Sequence, residues 1–241
     1  MFGYTPSLPP TLMEGQPLNM PVVFFDDFLT AGYTVNDAAD AQAKFSETAN
    51  ASAWLLTVID GGTDNGESIV ISDDEPGGVL AITTNDADND ACELQLNGEA
   101  FKVQSGKDLI FEARFKLNDV DTADWFLGLA TTDTTVLAGT TESLGFRCPD
   151  GTGDIDYVCE DNSTETTGDT GIDLADDTFV TVRLEVRSNE RVKFFVNGAL
   201  VGTSTTNIPD GDAVTPTMCV RNASGAASTL EVDYFFVAQE R

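Results

Sequence analysis

The sequence predicts an all-β protein, a two-sheet antiparallel sandwich carrying an extended Pro-rich N-terminal arm. From residue 22 onward, short runs rich in Val, Ile, Phe and Leu recur between clusters of Gly, Asn, Asp and Thr, the punctuation expected of a sandwich or barrel. The longest runs alternate strictly. In 108 to 117, Leu109, Phe111, Ala113, Phe115 and Leu117 point one way, and Glu112, Arg114 and Lys116 the other. In 179 to 187, Val180, Val182, Leu184 and Val186 alternate with Thr181, Arg183, Glu185 and Arg187. One core face and one wet face with interleaved charges is how antiparallel sandwich sheets are built. Asn197-Gly198 between two such runs is the strongest hairpin signal, because both residues tolerate the positive φ of a two-residue turn.

The chain opens with an arm. Residues 1 to 21 hold five of the nine prolines and show neither helical nor strand periodicity. Proline fixes φ and cannot donate to a ladder, so this segment is expected to be extended and outside the sheets. Its apolar side chains, Phe2, Tyr4, Leu8, Leu12, Met13, Leu18 and Met20, seek a surface, either on the chain's own domain or on a neighbouring subunit. The predicted organisation is thus an arm over 1–21 and one sandwich domain over 22–241.

The predicted strands follow in order: 22–28, 53–59, 68–72, 78–84, 92–97, 100–104, 108–117, 125–131, 143–148, 155–159, 179–187, 191–197, 216–222 and 229–238. Only 37–52 has the composition of a helix, and it reads equally well as loop. No repeat is visible. At 241 residues the chain is long enough to bury a substantial core.

Composition then excludes function classes. With 12 Lys and Arg against 41 Asp and Glu, the net charge of -29 repels phosphate backbones, so no nucleic-acid partner is expected. The absence of His removes Ser-His-Asp and Cys-His nucleophile systems and His-ligated zinc. Carboxylates, Lys, Tyr, Cys or a hard cation remain as chemical actors. The four cysteines, Cys92, Cys148, Cys159 and Cys219, lack CxxC spacing. Cys148 and Cys159 either bridge a hairpin or stay as buried thiols. No basic segment followed by an apolar run opens the chain, and no apolar run is long enough to span a membrane, so no cleaved signal and no membrane partner are expected.

From 108 to 238 the order of pieces, "DLIFEARFKL", "WFLGLA", "LGFR", "TFVTVRLEVRSNERVKFFVNGALVG" and a closing "LEVDYFFVAQ", resembles the concanavalin A-like lectin/glucanase superfamily, which includes laminin G-like domains. "VVFFDDF" at 22 to 28 is similar to its entering strand. The resemblance implies a jelly-roll strand order. It also raises the question of catalysis, because glucanases of the superfamily place nucleophile and acid on one strand in an E-x-D-x-E pattern, with carboxylates ~5 Å apart. Here "GDIDYVCED" puts Asp154 and Asp156 at the first two positions, but the third is Val158 and the bulged alternative is Cys159. Glu160 falls later, about 20 Å from Asp154 along an extended strand. A non-enzymatic protein is therefore expected, with these acids on a solvated face.

Two Asp clusters are candidate calcium ligands, and calcium is the one candidate cofactor: Asp86, Asp88 and Asp90 in "NDADND", and Asp119, Asp121 and Asp124 in "NDVDTAD". Neither has the Gly and terminal Glu of an EF-hand loop, and solvated turns are the alternative. Trp54 and Trp125 are candidate sugar-stacking platforms, against the alternative of core packing. Phe195 and Phe235 fall on the nominally polar faces of their strands, so something covers them or they mark a partner surface.

A leaderless, His-free, acidic jelly roll with an apolar arm resembles, at class level, virion components of tailed phages. That resemblance implies a head decoration or capsid cement protein on the virion surface, assembled in the host cytoplasm and bound through its arm to a shell protein or to further copies of itself. The competing expectation, from the lectin relatives, is a carbohydrate-binding receptor or adhesion module, calcium-dependent if the Asp clusters hold metal.

Overall fold

The computed structural model describes residues 21–29, 54–59, 67–72, 77–149 and 151–241, together with the backbone of four short strands before residue 45. The strands are β1 (Leu12–Met13), β2 (Gln16–Pro17), β3 (Val22–Asp26), β4 (Thr34–Asn36), β5 (Ala43–Lys44), β6 (Trp54–Ile59), β7 (Ser68–Ser72), β8 (Val79–Thr83), β9 (Ala91–Leu96) and β10 (Leu109–Leu117). They continue as β11 (Ala123–Ala130), β12 (Ser143–Cys148), β13 (Asp154–Asp161), β14 (Thr164–Asp173), β15 (Val180–Arg187), β16 (Arg191–Val196), β17 (Ala199–Ser204), β18 (Thr215–Asn222) and β19 (Thr229–Gln239). One 3-10 turn, Val136–Ala138, lies between β11 and β12.

Two antiparallel sheets form a sandwich. The first runs β17-β16-β15-β10-β19-β8-β7-β4, with β3 also paired to β19; the second runs β14-β13-β12-β11-β18-β9-β6-β5. The inward faces of the two sheets meet in one core, whose aromatics pack both within the first sheet and across to the second. Phe111 packs on Phe235 with ring centroids 5.0 Å apart, Phe115 on Trp125 at 4.8 Å, and Phe146 on Phe194 at 5.5 Å. Tyr157 stacks on Phe194 at 4.4 Å in a slot floored by Gly168 and Gly202, where any added Cβ would strike the Tyr ring. Each fully buried aromatic contributes on the order of 2 to 3 kcal/mol from its apolar area alone.

Several expectations change. The run 100–104 is a connecting loop, held by the bridge Phe101↔Val214 and not by a ladder. β14 was not foreseen: its residues alternate exposed and half-buried but include almost no apolar side chain, as an edge strand permits. Phe235 is fully buried in the core, against the simple alternation of its strand. The cause is a bulge. The β10–β19 register shifts between Arg114, opposite Tyr234, and Phe115, opposite Val232, so Asp233 is the extra residue. One extra residue inverts the parity of everything beyond it. Leu230 and Val232 face the core before the bulge, Phe235 and Val237 after it, and Tyr234 and Phe236 turn to the outer face beside Phe25. Phe195, opposite Arg183, is half-buried on that same outer face.

All four cysteines are free and buried. Cys159 lies opposite Leu144, not Cys148, so the hairpin register itself precludes the bridge. Burial pushes the Cys159 thiol up to about 12, which leaves it an inert protonated side chain. The span 37–52 lies outside the described residues apart from the backbone of β5, and most of the arm, with Phe2, Tyr4, Leu8, Leu18 and Met20, does too. Leu12 and Met13 pair in backbone with Pro17 and Gln16, in a ladder separate from both large sheets. Among the described residues no helix is long and apolar enough to cross a membrane.

Candidate functional site

The chemistry gathers on the outer face of the second sheet, which the β11–β12 connection crosses. Because Trp125, Leu127 and Leu129 face the core, Phe126, Gly128 and Ala130 face out. The ladder pairings extend that parity sideways. One row reads Glu93 (β9), Cys219 (β18), Phe126 (β11), Arg147 (β12) and Asp156 (β13). The next holds Gln95, Thr217, Gly128, Gly145 and Val158. Ser143 and Glu160 stand opposite each other at the far end, and Glu160 faces Glu165 on β14.

The segment from Thr131 to Glu142 folds back over this face. Its tip carries Val136 and Leu137, the apolar pair of an otherwise polar loop, and they pack on Phe126, Val158, Ala130 and Cys219. Its ends are stitched down. At the entry, Gln95 Nε2 donates to the Thr131 carbonyl at 3.1 Å, and Gln95 Oε1 accepts from the Asp133 amide at 2.9 Å. At the exit, the Thr140 hydroxyl donates to Glu160 at 2.6 Å, and the Ser143 hydroxyl to the same oxygen at 2.9 Å. Asp133 caps the intervening turn by accepting from the amides of Thr134 and Thr135.

Two recesses flank the tip. One, about 30 Å³, lies among Phe126, Arg147, Glu160 and Glu165. It has room for little more than a water molecule. The other, about 150 Å³, lies among Ile59, Asn89, Ala91, Glu93, Thr135, Leu137, Ala138 and Arg221. Its charge is unusual. Arg221 is committed to Asp124, donating from Nε at 2.9 Å and again from Nη2. Glu93 is 1% exposed, and neither of its carboxylate oxygens meets a donor at hydrogen-bond geometry. Burial pushes its pKa up to about 7; the nearby amides of Leu137 and Val136 hold it down in part, Asp133 raises it further, and Arg221 lowers it. At the loop's exit a second acid behaves similarly: burial and the neighbouring Asp161 push Glu142 up to about 7, and its Oε2 has no partner.

The residues singled out from the sequence land elsewhere. Asp154, Asp156 and Glu160 share one strand, but a register shift between Asp154 and Asp156 separates the first from the others. Glu160 is the loop's anchor. Trp54 is 1% exposed, with Nε1 donating to Asp26 at 2.9 Å, and Trp125 is 0% exposed against Phe115. A ring with both faces packed offers no stacking platform, so the core alternative is the correct one for both. The Asp clusters do not converge: among the described residues no three Asp, Glu, Cys or His side chains form a metal-holding group. Asp90 accepts from the Ala87 amide and Asp119 from the Asp121 amide, as turn caps; Asp124 pairs with Arg221; Asp86, Asp88 and Asp121 are exposed. Sequence reading missed Glu93, which in "CELQL" looks like any wet-face residue. The signal was in another segment, the Val136-Leu137 pair inside a Thr- and Asp-rich loop.

Comparison with solved structures shows the same sandwich in proteins of very different sequence. A protein of unknown function, SO2946 from Shewanella oneidensis, superposes with a TM-score of 0.59 at 13% identity, over 92% of this chain and 88% of that one. An endo-1,3-β-glucanase from Streptomyces sioyaensis gives 0.58 at 16%, over 93% and 98%. A glycoside hydrolase family 16 endo-glucanase from Bacteroides ovatus gives 0.59 at 12%, over 89% and 99%. The fold is therefore the β-sandwich seen in these glucanases. No protein of curated function matches the chain in sequence. Residues 75–233 match the family described as SO2946-like, C-terminal domain, a span from β8 through β18 that takes in every residue lining the two recesses except Ile59 on β6: the chain belongs to that family.

Proposed function

We propose that this protein is a non-catalytic carbohydrate-binding module, and that it holds a glycan on the outer face of the second sheet, at the recess beside the Val136–Ala138 turn. The observation that carries the reading is that recess, with polar and apolar walls and a buried acid, on a sandwich whose relatives of full overlap include glucanases. A sugar ring offers both an apolar face and hydroxyl donors, the chemistry such a wall accepts.

Catalysis is unsupported by the carboxylate spacing. Glu93 and Glu160 stand on β9 and β13, four inter-strand steps apart, about 19 Å at the usual strand spacing. Asp156 and Glu160 are about 13 Å apart along one strand. Retaining pairs need about 5 Å and inverting pairs up to about 9.5 Å. Glu160 and Glu165 do face each other, but Glu165 is held bidentately by Arg147 at 2.7 Å, and the recess between them has no room for a pyranose.

The expectation of a capsid-decorating protein finds no support among the relatives described, and the side chains on which it rested lie outside the described residues. Affinity electrophoresis through gels containing β-1,3-glucan, mixed-linkage glucan and amino-sugar polymers tests the reading. Retardation by at least one polymer, with no reducing ends released, is the expected result; release of reducing ends that disappears in Glu160→Gln would replace the module with an enzyme.

A further inference from the structure

The larger recess is specific about charge. Its apolar wall, from Ile59, Ala91 and Leu137, suits a compact carbon skeleton, and about 150 Å³ is the room a six-membered ring needs. Three of its residues, Asn89, Thr135 and Ala138, are exposed, so it opens to solvent. Into this space faces a buried carboxylate, neither of whose oxygens meets a donor at full hydrogen-bond geometry, with only the Leu137 and Val136 amides nearby to favour its charged form. A buried acid in that state costs several kcal/mol unless it is neutralised or meets a donor.

Arg221 on the recess wall offsets the charge of Glu93 only in part. The guanidinium of Arg221 is engaged by Asp124, which leaves that pair neutral as a unit, and Asp133 adds a second negative charge beside Glu93. A neutral sugar would bring a hydroxyl donor but no charge. An ammonium brings both, and a charge-assisted hydrogen bond to a carboxylate is about twice as strong as a neutral one. The net charge of -29 adds long-range attraction for a polymer bearing many ammonium groups.

We infer that the recess is a binding site for an amino sugar with a free ammonium group, presented by a deacetylated amino-sugar polymer, with Glu93 as the counter-ion. This rests on the carbohydrate-binding reading and narrows it to a cationic class of glycan.

The test is calorimetric titration of the full-length protein at physiological ionic strength with three oligomers of equal length: β-1,4-linked glucosamine, β-1,4-linked N-acetylglucosamine and a neutral β-glucan. The glucosamine oligomer is expected to bind at least about tenfold more tightly than its acetylated counterpart, a difference of about 1.4 kcal/mol. Glu93→Gln should abolish that preference while melting as a folded protein. Ala138→Phe, on the exposed rim, should block binding without touching the core. Glu190→Gln, an exposed carboxylate away from the recess, should leave binding unchanged. Equal losses in Glu93→Gln and Glu190→Gln would mean general polyanion attraction and would overturn the site. Binding of the neutral or acetylated oligomer alone would overturn the inference and leave the carbohydrate-binding reading standing. Binding of none would remove both.

Discussion

Both outer faces of the sandwich bury charge in cross-strand ion pairs, Asp124 with Arg221 on the second among them, but they leave different acids unmatched. On the first sheet the charges are knitted across strands. Arg183 bridges Glu112 at 3.3 Å and Glu185 at 2.6 Å, Tyr234 donates to Glu112 at 2.8 Å, and Lys116 meets Glu231 at 2.9 Å. Arg114 pairs with Asp233 and lies with Lys116 over the Phe179 ring. On the second sheet Glu93 lacks any such partner, as does one oxygen of Glu142, beneath a loop that covers what would otherwise be an open face. On the first face Glu185 also has one unpaired oxygen, but its other oxygen is held by Arg183; Glu93 has neither oxygen paired and stands beside a ring-sized space, and a face with such an acid is suited to receive something.

The comparison is broken most strongly at Arg183. Arg183→Met leaves Glu112 and Glu185 without their cation, and the expected loss is about 3 kcal/mol in urea denaturation, with glycan binding unchanged. Glu93→Gln should act in the opposite sense. The folded protein holds the Glu93 proton up to about 7, against an ordinary value of 4.5. The stability associated with that proton is complete below 4.5 and is lost as pH rises toward 7. The wild type should therefore melt lower at pH 8 than at pH 5. Glu93→Gln should recover about 2 kcal/mol at pH 8 and flatten that profile; Glu142, shifted the same way, maintains the remainder of the slope. Val136→Ala, which shaves the loop's apolar tip, should cost about 1 kcal/mol and raise amide exchange within 131–142 only. Arg147→Ala removes a partly exposed pair with Glu165 and should change stability by less than about 1 kcal/mol. A large loss there would mean that the second face is knitted like the first.

Much of the fold is written in alternation. β10, β15 and β16 present the faces their residues predict, because a period of two needs only local information. The failures share a physical cause. β14 is an edge strand whose polar residues need no apolar face; Phe235 depends on a bulge set by its neighbour's register; and the 100–104 run alternates in sequence but finds no ladder partner. Each is decided by a neighbouring strand. The site was less legible for the same reason. Glu93 is an ordinary strand residue until the loop folds over it, and Trp54 and Trp125 show which side of a strand they occupy only once the two sheets meet.

The extra residue at Asp233 has a consequence for the architecture as a whole. Before it, Thr229 to Val232 of β19 pair with β8; after it, Phe235 to Gln239 pair with β3. The last strand of the chain is thus a fork, with one edge shared in succession by two neighbours that are distant in sequence. A single deletion there would do more than shorten a strand. It would leave either the Val232 half or the Phe235 half facing the wrong layer, so this one position keeps two halves of the sheet in phase.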